Sequence, residues 1–88
     1  MHLSNHANHR HIQRNLPLHV ISTIYAYGSP RHSKGAVSLT LDGRAIALAA
    51  EDNHRLSNDL TRYRGTYVVV GDGDRIVTVA RRDRRFRQ

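Results

Sequence analysis

Cysteine and tryptophan are missing from this sequence altogether, and no carboxylate occurs before Asp42. The first absence excludes a disulfide framework and a thiolate zinc site. Long apolar runs are missing too. The longest, Ala45 to Ala50, falls far short of the ~20 residues that span a bilayer. The first eleven residues hold four histidines and nothing like the apolar segment of a secretory leader, so the expectation is a cytoplasmic protein with no membrane partner. A chain of 88 residues makes one domain, 1–88, with a thin core. It buries only about 60–65% of its unfolded surface and is marginal without a partner.

What the sequence does have is positive charge. Fourteen Lys and Arg face seven Asp and Glu, leaving +7, and every basic residue except Lys34 is Arg. A planar guanidinium suits bidentate phosphate contact and base stacking better than an ammonium does. Arg10, Arg14, Arg31 and Lys34 precede Asp42, and residues 81–88 form a basic tail with five Arg and one Asp. Such a block repels itself until a polyanion neutralises it and counterions leave. Nucleic acid, RNA above all, is therefore the expected partner. No basic stretch adjoins a wide apolar face, which argues against a membrane surface.

Local patterns define the elements. Ser4 can cap a helix over about 4–15, with Leu3, Ala7, Ile12 and Leu16 as its apolar side and Asn15 as a left-handed C-cap. On that helix His6, Arg10 and Arg14 follow at intervals of four and line one stripe. Pro17 suits the first turn of a second helix that buries Val20, Ile21, Ile24 and Tyr25 and ends at Gly28. The β-branched run Val20 to Ile24 makes a strand its competitor. Residues 28–35 read as a basic loop. Val37, Leu39 and Leu41 alternate with Ser38 and Thr40 as a strand over 36–42. Asp42-Gly43 fits either a hairpin turn or a helix N-terminus. The spacing of Ile46, Ala49, Asn53, Leu56, Leu60 and Tyr63 favours a helix over 44–63. Strands at 66–70 and 75–80 flank a turn at Gly71 to Asp74, with Val77 and Val79 on one face and Ile76, Thr78, Ala80 and Arg82 on the other.

His2, His6 and His9 have helical spacing, yet Arg10 and Arg14 stand among them and repel a cation, so no metal site is expected. The Gly71 to Asp74 turn lacks the spaced ligands of a calcium loop. One constellation has chemistry in it: His6, Arg10 and Arg14 on a helix, and Thr78 with Arg81 or Arg82 on a strand. Metal-free RNA cleavage needs a proton-transfer group near neutral pH and cations at the phosphorane. Imidazole, guanidinium and a Thr hydroxyl are the residue types for that work.

The run His6-Ala7-Asn8-His9-Arg10-His11-Ile12-Gln13-Arg14-Asn15-Leu16-Pro17 resembles the opening motif of a family of small uncharacterised bacterial proteins. Ala26-Tyr27-Gly28, Ser33-Lys34-Gly35-Ala36, Leu41-Asp42-Gly43-Arg44-Ala45 and the final strands, Arg64 to Val70 and Ile76 to Val79, are similar as well. That family resembles the ribonuclease superfold shared by barnase, EndoU, toxic colicins and RelE-type toxins. The resemblance maps active positions to His6, Arg10, Arg14 and Thr78. Two positions differ from the family pattern: Asn15 replaces a Gly, and Arg81 replaces a His. An Arg keeps its proton at working pH, so His6 is left as the group for proton transfer, with His32 in the basic loop a distant second.

The expected fold is α+β: N-terminal helices packed on a twisted antiparallel sheet of three to four strands, with a helix inserted before the C-terminal β-hairpin. The expected function is a toxin-like, metal-independent endoribonuclease using His6, Arg10 and Thr78, without a cofactor. Arg14, Arg31, Lys34, Arg81, Arg82, Arg84 and Arg85 would hold the nucleic acid, and an acidic antitoxin would be the protein partner. The alternative is a nucleic-acid-binding module without catalysis.

Overall fold

Short polar residues set the starts and stops of two of the helices. The computed structural model describes residues 1–82, apart from the side chain of Leu56. Its elements run β1 (His2–Leu3), α1 (Asn5–Gln13), α2 (Leu18–Tyr27), β2 (Ser29–Ser33), β3 (Ala36–Thr40), α3 (Gly43–Asp52), α4 (Leu56–Thr61), β4 (Thr66–Gly71) and β5 (Arg75–Arg81), with a 3₁₀ turn at Asp72–Asp74. The Ser4 hydroxyl accepts the Ala7 N–H at 3.1 Å, and Asp42 accepts the Ala45 N–H at 2.9 Å. Each thereby satisfies one of the orphan donors of a helix N-terminus. Asn15 takes the left-handed conformation that terminates α1, at φ 52°. Pro17 stands one residue outside α2 rather than in its first turn, and its carbonyl accepts from Val20 and Ile21.

The α+β class is as expected, with four helices and one sheet. The sheet is larger and less regular than the pattern suggested. It has five strands in the order β1-β5-β4-β3-β2, antiparallel except that β1 runs parallel to β5. Residues 29–33, read as loop, form the outer strand β2, closed onto β3 by the two-residue turn Lys34-Gly35. Both turn residues have positive φ, 49° and 79°, the backbone of a type I′ hairpin. Lys is an unusual occupant of that conformation, which is why the turn was not legible. The helix expected over 44–63 is two helices. Asn53 is extended, and its Oδ1 accepts the Arg55 N–H at 3.1 Å, the local side-chain bond by which Asn competes with a helix.

A further correction concerns β5. Val69 pairs with Thr78, but Val70 pairs with Ile76, so Val77 is an extra residue. This bulge flips the alternation. Ile76 and Val79 therefore both face the core, and Val77 does not share a face with Val79 as strict alternation required. Ile12 is corrected too: it is 64% exposed, because five residues past Ala7 means a rotation of about 140° from the buried line of α1.

All helices cover one face of the sheet. Ala7, Leu16, Val20, Ile21, Ile24, Leu41, Ala45, Ile46, Ala49 and Leu60 form one buried cluster with Val68, Ile76 and Val79. Each fully buried aliphatic side chain contributes roughly 1.5–3 kcal/mol. Among the described residues no comparable layer lies on the opposite face, and that asymmetry positions the candidate site.

Candidate nucleic-acid interface

The register decides which residues reach the uncovered face. Leu39, Val68 and Val79 are cross-strand neighbours on the core side, so their immediate neighbours along each strand point away from the helices. Two transverse rows result. One runs Ser29, Thr40, Tyr67, Ala80; the next runs Arg31, Ser38, Val69, Thr78. Arg82 continues the line of Thr78 and Ala80, and its guanidinium lies 5.4 Å from the centroid of the Tyr67 ring.

A pocket of about 250 Å³ opens on this face among Ser29, Arg31, Ser38, Thr40, Asp42 and Arg82. Two guanidinium groups and three hydroxyls around one hollow suit a phosphate, which needs charge and several donors. Among the described residues the one side-chain ion pair is His19–Asp59, at 2.8 Å, so neither Arg31 nor Arg82 is neutralised by a carboxylate there. Asp42 lines the pocket too. Its Oδ1 accepts both the Ala45 N–H and the Ser29 hydroxyl, each at 2.9 Å. Partial burial acts to raise its pKa, but the Ala45 N–H, the Ser29 hydroxyl, its own N–H and the Arg44 charge outweigh that and lower it. The group is an ionised acceptor at neutral pH.

More arginine gathers at the same end of the sheet. The Arg82 N–H donates to the Gly65 carbonyl at 3.0 Å, and Arg81 Nη2 donates to the Arg62 carbonyl at 2.7 Å. Arg64 lies against Gly43, beside Arg44 at the start of α3. The chain's turn from α4 into β4 thus brings Arg62 and Arg64 beside Arg81 and Arg82.

The expected site residues do not share one surface. Arg31, Thr78 and Arg82 share the open face. Lys34 is exposed in the β2–β3 turn at one end of that surface. Arg81 pairs with Thr66 and turns to the helix side, so Arg81 and Arg82 point in opposite directions. The α1 stripe is separate: His6 and Arg14 are exposed and Arg10 is half-buried. They stand on the helix whose Ala7 packs into the core with Ile76 and Val79, whereas Thr78 faces the other way. Among the described residues no side-chain hydrogen bond joins the stripe to Thr78. Arg84 and Arg85 lie outside the described residues. Among those described, no three His, Asp or Glu gather as a metal site, and no helix is long and apolar enough to cross a membrane.

Sequence reasoning missed Ser29, Ser38, Thr40, Asp42 and Tyr67 as a group. The signal was the polar phase of 36–42, which puts Ser38 and Thr40 on one side of a strand, but it acquires meaning only once β2 is recognised as its neighbour. No known protein family, curated protein or solved structure matches the chain.

Proposed function

We propose that this chain is an RNA-directed protein that holds the phosphodiester backbone on the open face of its sheet, a phosphate lodging between Arg31 and Arg82. The observation that carries this reading is the pocket itself: two arginines without carboxylate partners among the described residues, facing Ser29, Ser38 and Thr40 across one hollow. The Tyr67 ring beneath Arg82 offers an adjoining surface on which a base can stack. Arg62, Arg64 and Arg44 extend the positive field beyond the pocket and steer a polyanion towards it. A cytoplasmic location accompanies this reading.

Binding of a labelled single-stranded RNA, followed by anisotropy at several salt concentrations, tests it. Each phosphate contact removed should reduce the log–log salt slope by about 0.7, so Arg31→Ala and Arg82→Ala should each bind more weakly with a shallower slope. Wild-type affinity and slope in both variants would remove the pocket from RNA binding.

The toxin-like endoribonuclease is the second reading, and one observation favours it. α1 packs on the core-facing side of β5, and the Ser4 N–H donates to the Ile76 carbonyl at 2.8 Å, which fixes the helix that carries His6, Arg10 and Arg14 against the sheet. In this reading His6 transfers the proton while Arg10 and Arg14 neutralise phosphate on the helix side; Thr78 and Arg82, which face the other side of the sheet, take no part. An acidic antitoxin would cover the arginine-rich end. Incubating RNA with the protein and with His6→Ala in EDTA decides it: cleavage by the wild type alone is the expected result, and no cleavage by a wild type that still binds RNA ends it.

A further inference from the structure

The phosphate pocket has a feature that phosphate alone does not explain. A carboxylate, Asp42, stands in its lining, where a bare anion would be repelled. Asp42 has both of its protein hydrogen bonds on Oδ1. Oδ2 has none among the described residues, and Asp42 lines the same hollow as Arg31 and Arg82. The Ala45 N–H and the Ser29 hydroxyl fix the plane of the carboxylate, so its second oxygen is an oriented acceptor and not a swinging one. A ligand that satisfies the whole pocket carries an anion at one end and a hydrogen-bond donor a few atoms away.

We infer that Asp42 Oδ2 accepts the ribose 2′-hydroxyl of the nucleotide whose phosphate sits between Arg31 and Arg82, and that this contact selects RNA over DNA. The inference rests on the proposed binding of phosphodiester on this face. In RNA the 2′-hydroxyl is on the carbon next to the one that bears the 3′-phosphate, so anion and donor are neighbours on one sugar. The 2′-hydroxyl is also the group by which a protein tells the two nucleic acids apart at a given position. Asp42 contributes by exclusion as well. In DNA the carboxylate would face the phosphate with no donor between them, and the repulsion would go uncompensated. The carboxylate stays ionised down to acid pH because its hydrogen bonds favour the charged form.

The test compares one short single-stranded oligonucleotide as RNA and as 2′-fluoro RNA, with intactness checked on a gel. Fluorine keeps the RNA-like sugar pucker and adds no bulk, but it cannot donate. A hydrogen bond to a charged group contributes about 1.5–3 kcal/mol, so the wild type should bind RNA at least about tenfold more tightly than the 2′-fluoro strand. Asp42→Asn should reduce that ratio severalfold, because the amide can still cap α3 through its oxygen but then offers the 2′-hydroxyl a neutral NH₂ in place of a charged acceptor. The variant should also bind the 2′-fluoro strand more tightly than the wild type does, since the repulsion has gone. Ser29→Ala, which frees the carboxylate without changing its charge, should give an intermediate ratio and serves if Asp42→Asn does not fold. Equal wild-type affinity for the two strands would overturn the inference, as would a preference undiminished in Asp42→Asn. If Arg31→Ala still weakens both strands in those cases, the phosphate site stands and only the sugar contact falls. If Arg31→Ala and Arg82→Ala change nothing, the binding face itself is wrong.

Discussion

Thr66 shows how this small core spends a polar group. Its side chain is fully buried, and its Oγ1 has no hydrogen-bond partner among the described residues. A buried hydroxyl left unpaired costs about 1–3 kcal/mol. Valine has the same branching at Cβ and no polar atom, so Thr66→Val should stabilise the protein by about 1 kcal/mol, raising Tm by roughly 4–8 °C in a domain of this size. A scanning-calorimetry trace with Tm unchanged or lowered would contradict this account of the site. Asp42 makes the opposite kind of contribution. Its folded-state pKa lies below the ordinary 3.8, so its stabilisation is present in full above that value and is lost as pH falls through the folded-state pKa. Asp42→Asn should remove this part of the acid sensitivity, seen as a flatter dependence of the urea midpoint on pH below about 4.

At the level of elements, legibility followed hydrogen-bond chemistry that is local in sequence. Ser4, Asn15 and Asp42 act through their own neighbours, and so the starts of α1 and α3 and the end of α1 were readable. The β4–β5 hairpin was readable from its β-branched runs around a Gly-Asp turn. What could not be read depends on distant partners. β1 is two residues that become a strand only because β5 offers an edge, and the bulge at Val77 exists only against Val69 and Val70. The same bulge decided the faces of β5, which is why Thr78 was correctly grouped with Arg82 but wrongly with Ile76. The junction of α2 and β2 makes its own demand. A Cβ at Gly28 would lie 2.5 Å from the Ile24 carbonyl oxygen and 2.9 Å from Leu39 Cβ. Gly28→Ala should therefore destabilise by about 1–3 kcal/mol, as overpacking does, lowering the urea midpoint with the m-value unchanged.

Across the whole molecule, the α+β class and a basic surface were evident from composition and pattern, but the candidate site was not. The sequence stripe of His6, Arg10 and Arg14 drew attention to a helix, whereas the pocket is assembled from β2, β3, the start of α3 and the end of β5. Only the strand order brings Arg31 within reach of Arg82, although they are far apart in the chain. That order also has an outcome for self-association. One border of the sheet is the two-residue β1, and the other is β2, where Pro30 has no N–H to offer and Arg31 and Lys34 put charge on the rim. Short, proline-bearing and charged borders do not template further strands. The described residues can therefore leave a broad β-surface uncovered without inviting copies of the chain to stack edge to edge, and concentrated, nucleic-acid-free samples should stay monodisperse by light scattering.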